Sequence, residues 1–432
     1  MGPMQQSQIE IDCLVHNVGE LATSQGTQIR GGQALAAIQI QNNVAVAIQG
    51  GKILEIGPDA GMVGRYNAGS SIDAQGQLVV PGMVDAHTHP VFIGTREGEF
   101  EDRLRGKSYL EIAEGGGGII SSMLGVRNSS KEQLVQALLM RMDRFLSLGT
   151  TTVEAKSGYG LSLADEMKSL EAIAEANRLH PVDLVPTFLG AHDFPPEYRD
   201  RRADYLTLLR EEMLPAVAES GLAEYCDIFT ESHVFGLNES RDLLNHAKGL
   251  GFKVRLHVDQ LTALGGAQLA AELGAASADH LEHVSDEGID ALGQAGVVPV
   301  LCPLVPLFLR ESQEAPGRRM ADAGLAVALA TDFNPGSCYA MSLFEVLSYG
   351  ALRYGLLAGE ALTAATLNAA CSLGRGDRIG TLEVGKHADL VITDLPGYRH
   401  LTYEMARSPV RHVIKSGKLV YTAAQVDRGL CK

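Results

Sequence analysis

At 432 residues, 45% hydrophobic and 20% charged with 48 glycines, the chain has the makeup of a globular protein with many loops, which excludes a disordered or collagen-like one. A formal net charge of −16 speaks against nucleic acid or an anionic membrane as partner, because both are bound through clustered Lys and Arg. A small anionic substrate stays open, since one or two arginines in a pocket act locally whatever the overall sign.

The length is more than one usual domain and suits an α/β barrel of about 250 residues with a smaller companion. Over residues 1–80 the segments IDCLVHNV, ALAAIQIQ and NVAVAIQGGKILEIG alternate and are broken by turn signals, with Gly50-Gly51 as a tight hairpin; they predict antiparallel β. Residues 81–382 change character. Short apolar runs recur between helix-period segments: QLVVPGMVDAH, TTTVEAKSG, VDLVPTFLGAH, EYCDIFTESH, FKVRLHVDQ, ASADHLEH, GVVPVLCP and VALATDFNP. Eight such runs predict an α/β fold of the TIM-like (β/α)8 barrel class. Helices are predicted over Lys131–Leu148, with Leu134, Leu138, Met142 and Phe145 on one face, and over Ala164–Asn177. Residues 383–432 return to short strands, HADLVITDL and VRHVIKSGKLVYT. Neither end has enough strands to bury a face alone, so the two ends are predicted to pair into one small β-sandwich.

Nearly every barrel run ends in a residue type that does chemistry: His87 and His89, Lys156, His192, His233, His257, His280 and Asp332. A β/α barrel brings the C-terminal ends of its strands to one mouth, so these side chains are expected to converge. His87 and His89, two apart, project to the same side of a strand and could share a cation. Alone the pair equally suits two polar residues satisfied by backbone; His257 and Asp332 at later strand ends favour the metal. Three imidazoles and a carboxylate suit Zn²⁺ or Fe, and suit Mg²⁺ or Ca²⁺ poorly. A Zn²⁺ or Fe ion is expected, with Asp332 orienting the water and taking its proton and His280 steadying the attacked carbonyl. Gly115–Gly118 lacks the Lys-Ser/Thr continuation of a phosphate loop and is expected as a segment over the pocket.

The six cysteines (Cys13, Cys226, Cys302, Cys338, Cys371, Cys431) are scattered, with no Cys-x-x-Cys pair. No signal-peptide pattern opens the chain and no run approaches the roughly 18 apolar residues of a membrane span. The cytoplasm is the expected compartment, and a homodimer the expected assembly on the frequency of two-fold symmetry.

The text VVPGMVDAHTHP with His257, His280 and Asp332, and GTLEVGKHADLVI leading into the second end, resembles the amidohydrolase superfamily. Within it, HPVFIGTREGEFEDRLRGKSYLEIAEGGGGI, EAKSGYGL, TFLGAHDFPPEY, LHVDQL, SADHLEH and TDFNPGS are similar to the imidazolonepropionase family. The resemblance implies a barrel flanked by a sandwich from both termini, and hydrolysis of the ring amide of 4-imidazolone-5-propanoate to N-formimino-L-glutamate. It implies His87, His89, His257 and Asp332 as metal ligands and Arg96 as clamp for the substrate's propionate. Tyr159, His192 and Gln260 would contact the ring, while Asn334, Gly336 and Ser337 would form a turn whose N–H groups hold a carboxylate. Some relatives carry Glu where Gln260 stands, which removes a charged base there. Binuclear members bridge two metals with a lysine on the fourth strand; EYCDIFTESH has none, so one metal is expected and Lys156 reads as a structural ion pair or pocket-rim charge. His233 reads as structural. Two rivals stay open: a deaminase or other cyclic amidase of the superfamily, and a non-catalytic scaffold, which would be expected to have lost the ligands.

Overall fold

The computed structural model describes residues 8–107, 111–112 and 117–424. The two ends of the chain form one sheet. Its strands are β1 (Ile9–Thr23), β2 (Gln39–Gln49), β3 (Lys52–Pro58), β4 (Tyr66–Asp73) and β5 (Leu78–Pro81) from the start, with β14 (Leu390–Thr393), β15 (Val410–Lys415) and β16 (Lys418–Thr422) from the end. They run in the order β16-β15-β14-β5-β1-β2-β3, with β4 also paired to β1. Both hairpins turn on two residues of positive φ, Gly50 and Gly51 (59° and 75°) and Ser416 and Gly417 (46° and 75°), the conformation whose twist matches that of the flanking strands. Side chains from both termini share one core, where Val15, Val18, Leu21, Val46 and Ile48 meet Leu390, Ile392 and Ile414. Thus each half supplies the face that the other needs.

Three details depart from the sequence reading. The segment ALAAIQIQ is not one strand: Gly32–Ala36 forms a 3₁₀ turn and β2 begins at Gln39. The N-terminal strands are not purely antiparallel, since β4 and β5 run parallel to β1. The run QLVVPGMVDAH serves two sheets, Leu78–Pro81 in the end sheet and Met83–Asp85 in the barrel. Gly82 makes that transfer, and a Cβ there would lie 2.3 Å from Thr151 Oγ1, so no larger residue fits the crossing.

The barrel strands follow as β6 (Met83–Asp85), β7 (Thr150–Lys156), β8 (Asp183–Ala191), β9 (Tyr225–Thr230), β10 (Lys253–Val258), β11 (Ser277–His280), β12 (Val298–Leu301) and β13 (Ala328–Leu329), each beside the next. They are the eight runs of the sequence reading, and all registers between them are parallel. The first and last strands close just beyond their ends: Asp332 N donates to His87 O at 3.1 Å and His89 N to Phe333 O at 2.8 Å. Below that seam Asp85 accepts from Thr331 N and Thr331 Oγ1 (3.1 and 2.6 Å), and burial pushes its carboxyl up to about 7. The helix Lys131–Ser147 is capped by Ser130 and Gln133 and buries Leu134, Leu138, Met142 and Phe145 against the barrel, each contributing roughly 1.5–3 kcal/mol. The second helix spans Leu163–Leu179.

Candidate active site

Four polar side chains meet at the C-terminal mouth. His87 Nε2 lies 3.3 Å from His89 Nε2, which lies 3.2 Å from His257 Nε2, and Asp332 Oδ1 stands 3.4 Å from the first two. The outer nitrogens settle the tautomers of two rings. His87 Nδ1 donates to Asp279 Oδ2 at 2.6 Å, and His257 Nδ1 donates to Asp227 Oδ1 at 3.1 Å. Their Nε2 atoms therefore carry lone pairs turned toward His89 Nε2, and Asp332 Oδ1 beside the cluster has no hydrogen-bond partner. Burial disfavours relief by protonating the imidazoles, since it holds His87 and His89 well below the usual imidazole range and His257 at about 4. Two inward imidazole lone pairs beside a third imidazole and a buried carboxylate oxygen without a hydrogen-bond partner fit a borderline cation, and this donor set passes that test.

The network beneath the cluster is charged and wholly buried. Lys156 Nζ donates to Glu154 Oε1 and Asp227 Oδ2, both at 2.8 Å, and sits 3.9 Å from Asp279 Oδ2; Arg255 also reaches Asp279, at 3.4 Å. Lys156 is thus an ion-pair hub under the cluster and not a charge on the rim. Glu154 Oε2 takes Thr88 N at 3.1 Å, tying the hub to the chain between His87 and His89. Sequence reasoning missed Glu154, Asp227, Arg255 and Asp279. The signal was there in the strand period: Glu154 precedes Lys156 by two, Arg255 precedes His257 by two, and Asp227 lies two before Phe229, which lines the pocket.

Above the cluster a pocket is lined by His89, Arg96, Tyr159, His192, His257, Gln260, His280, Asp332, Asn334 and Ser337 among others. His280 ends β11 with φ 82° and is followed by Leu281 at 71°, a strained pair that swings the ring into the mouth. Burial works against charge on His280, but Glu282, Asp332 and Asp279 outweigh it and raise its pKa. Burial lifts the Asp332 carboxyl to about 7. His192 donates from Nδ1 to Gly158 O at 2.9 Å and stacks on His89 with ring centroids 5.0 Å apart; burial lowers it to about 4, so it stands as a neutral ring with Nε2 outward. Tyr159 packs 5.2 Å from that ring, on a loop whose Gly158, Gly160 and Leu161 N–H groups all donate to Glu166.

Arg96 is bound by Glu99 Oε2 from Nε and Nη2 at 2.9 and 2.7 Å, which fixes the guanidinium against the pocket. Gly336 backs it, since a Cβ there would lie 2.2 Å from Arg96 Nη1. The turn after Asp332 corrects one expectation. Gly336 N and Ser337 N donate to Asn334 Oδ1 at 2.8 and 2.7 Å, so these N–H groups already have a partner and are not open to a carboxylate. Asn334 and Ser337 face the pocket, whereas Gly336 shapes it through Arg96. His233 stands outside the pocket. Gly115 and Gly116 lie outside the described residues; Gly118 N donates to Glu99 Oε1, and Ile119, which follows, lines the pocket.

Residues 78–420 match the model of the amidohydrolase family. The chain is 47% identical over 422 residues to the imidazolonepropionase of Symbiobacterium thermophilum, covering 97% of this chain and 99% of that protein. It is 47% identical over 411 residues to the imidazolonepropionase of Myxococcus xanthus, covering 95% and 97%. Among solved structures it resembles 5-methylcytosine deaminase from Klebsiella pneumoniae liganded with 5-fluorocytosine, at TM-score 0.73 and 20% identity over 95% of this chain and 98% of that one. It also resembles an adenosine deaminase from Xanthomonas campestris with bound zinc, at TM-score 0.64 and 21% identity over 96% and 93%. The deaminases share the fold; the relatives at 47% identity match over 95% and 97% of this chain, and the chain belongs to the imidazolonepropionases of the amidohydrolase superfamily.

Proposed function

We propose that this protein hydrolyses the ring amide of 4-imidazolone-5-propanoate to N-formimino-L-glutamate, with one Zn²⁺ or iron ion held by His87, His89, His257 and Asp332. The observation that carries the reading is one pocket in which this donor cluster shares a mouth with Arg96, Tyr159, His192 and Gln260, in a chain 47% identical to imidazolonepropionases. A cation held there supplies Lewis acidity, which makes hydroxide available from water near neutral pH.

The chain's own groups then divide the work. Arg96, oriented by Glu99, takes the substrate propionate through charge-assisted hydrogen bonds. Tyr159, His192 and Gln260 offer a phenol, a neutral imidazole and an amide to the polar atoms of the ring, fixing its carbonyl toward the donor cluster. Asp332 takes the proton of the attacking water and delivers it to the leaving ring nitrogen. His280, whose raised pKa favours the protonated ring, donates to the carbonyl oxygen as negative charge grows there. Asn334 and Ser337 hold the segment after Asp332, Asn334 Nδ2 donating to Asp332 O and to Ser337 Oγ, both at 2.7 Å. The barrel, assigned to residues 81–382, carries this chemistry, and the described residues of the segments 1–80 and 383–432 are assigned to its companion.

The proposed compartment is the cytoplasm: among the described residues the cysteines are unpaired, and four of the five are buried, which suits a reducing environment. No helix among the described residues is long and apolar enough to cross a membrane. The proposed assembly is a homodimer, checked by sedimentation. Turnover of imidazolonepropionate against purines, pyrimidines and hydantoins tests the substrate. No activity on the first with activity on another would refute the reading.

A further inference from the structure

Behind His280 lies a second cavity, of about 270 Å³, which shares Gln260, Leu261 and Leu309 with the active pocket. The strained turn at His280 and Leu281 puts His280 on the pocket side and Glu282 on the cavity side. Glu282 is 4% exposed, and neither Oε1 nor Oε2 has a hydrogen-bond partner. The ion-pair contact it has among the described residues is His280 Nδ1, at 3.8 Å. Gln313, an amide on the same wall, donates to the Glu282 carbonyl and not to the carboxylate. The His280 ring lies too far to donate to it, so both oxygens of this desolvated carboxylate stay open to the N–H groups of a further cation.

The proposed reaction makes such a cation. Water oxygen adds to the ring carbonyl carbon and the bond from that carbon to the ring nitrogen breaks. The carbon leaves as a carboxylate, and the nitrogen becomes the end of an amidine that keeps both protons of the water. An amidine is a strong base, so a neutral ring amide becomes an anion and a cation with no proton released. Ring opening also lengthens the molecule. Gln260, on the wall common to both spaces, is uncharged and does not hold the cation back.

We propose that the side cavity receives the amidinium end of the product, paired with the Glu282 carboxylate, while the two product carboxylates stay in the active pocket. The proposal rests on the substrate assigned above. It is tested by inhibition of the metal-loaded full chain with N-formimino-L-glutamate and with N-formyl-L-glutamate, which has the same shape but a neutral end. The parent should prefer the amidine by about tenfold or more, and Glu282→Gln should bring the two inhibitors within about twofold. If Glu282→Gln does not fold, Ser232→Trp, at an exposed residue of the cavity wall, should narrow the space and lower the same preference. Equal inhibition in the parent, or a preference that survives either folded variant, overturns the subsite while turnover of imidazolonepropionate stands. Absence of that turnover in the parent overturns the substrate and the subsite together.

Discussion

Lys156→Met is the sharpest test of how the site is held. Lys156 Nζ is the shared donor to Glu154 and Asp227 at 2.8 Å, entirely out of solvent, and Arg255 is the one other cation of that network among the described residues. Methionine has nearly the volume of lysine, so packing survives while three buried carboxylates face a single cation. Removing one partner of a buried pair costs about 3–5 kcal/mol, a large share of the roughly 5–15 kcal/mol that stabilises a folded protein. The loss is eased where a carboxylate takes up a proton instead. Burial already raises the pKa of Glu154, and the variant should raise it further. A carboxyl with a folded pKa above its unfolded value binds its proton more tightly in the native state, so its contribution is present at low pH and lost as pH rises through the folded value. The destabilisation should therefore be larger in alkaline than in mildly acidic buffer. Urea unfolding of chelator-treated protein at several pH values reads this directly. Chelator competition should also show metal bound about 10–100-fold more weakly, because Asp227 and Asp279 orient His257 and His87. Adding Glu154→Gln removes one unpaired charge and should recover part of the stability. A Lys156→Met protein within about 0.5 kcal/mol of the parent at every pH, with metal affinity unchanged, would refute the hub.

Other perturbations separate binding from chemistry. His257→Ala and Asp332→Ala should each abolish turnover and lower metal content, with circular dichroism close to the parent; full metal occupancy with activity would remove them from the ligand set. Arg96→Ala should chiefly raise KM, by about 10–100-fold if a charge-assisted pair is lost, and an unchanged KM would remove the carboxylate clamp. Gly336→Ala should act the same way at a distance, since its Cβ would occupy the place of Arg96 Nη1; KM equal to the parent would show that the guanidinium has room to shift. Glu166→Ala leaves the N–H groups of Gly158, Gly160 and Leu161 without their acceptor and should cost about 1–3 kcal/mol or more in a thermal melt, with a raised KM as Tyr159 loosens. Parent stability would show that water replaces the carboxylate.

Much of this protein is legible in local pattern. The eight apolar runs predicted β6 to β13, the glycine pair at Gly50 and the Ser416-Gly417 pair marked their hairpins, and His87, His89, His257, His280 and Asp332 stood out because strand ends in a barrel carry chemistry. Those signals are local, since hydrophobic period and turn chemistry act over a few residues. Only the tertiary structure decided where QLVVPGMVDAH passes from one sheet to the other, because Gly82 is required by Thr151, which lies far along the chain. It also decided that Lys156 is a buried hub, that the Gly336 and Ser337 N–H groups belong to Asn334, and that Glu282 faces a cavity without a hydrogen-bond partner. A charge in a sequence reads the same whether water or protein surrounds it, and its cost and its role arise only when folding removes the water and sets the neighbours.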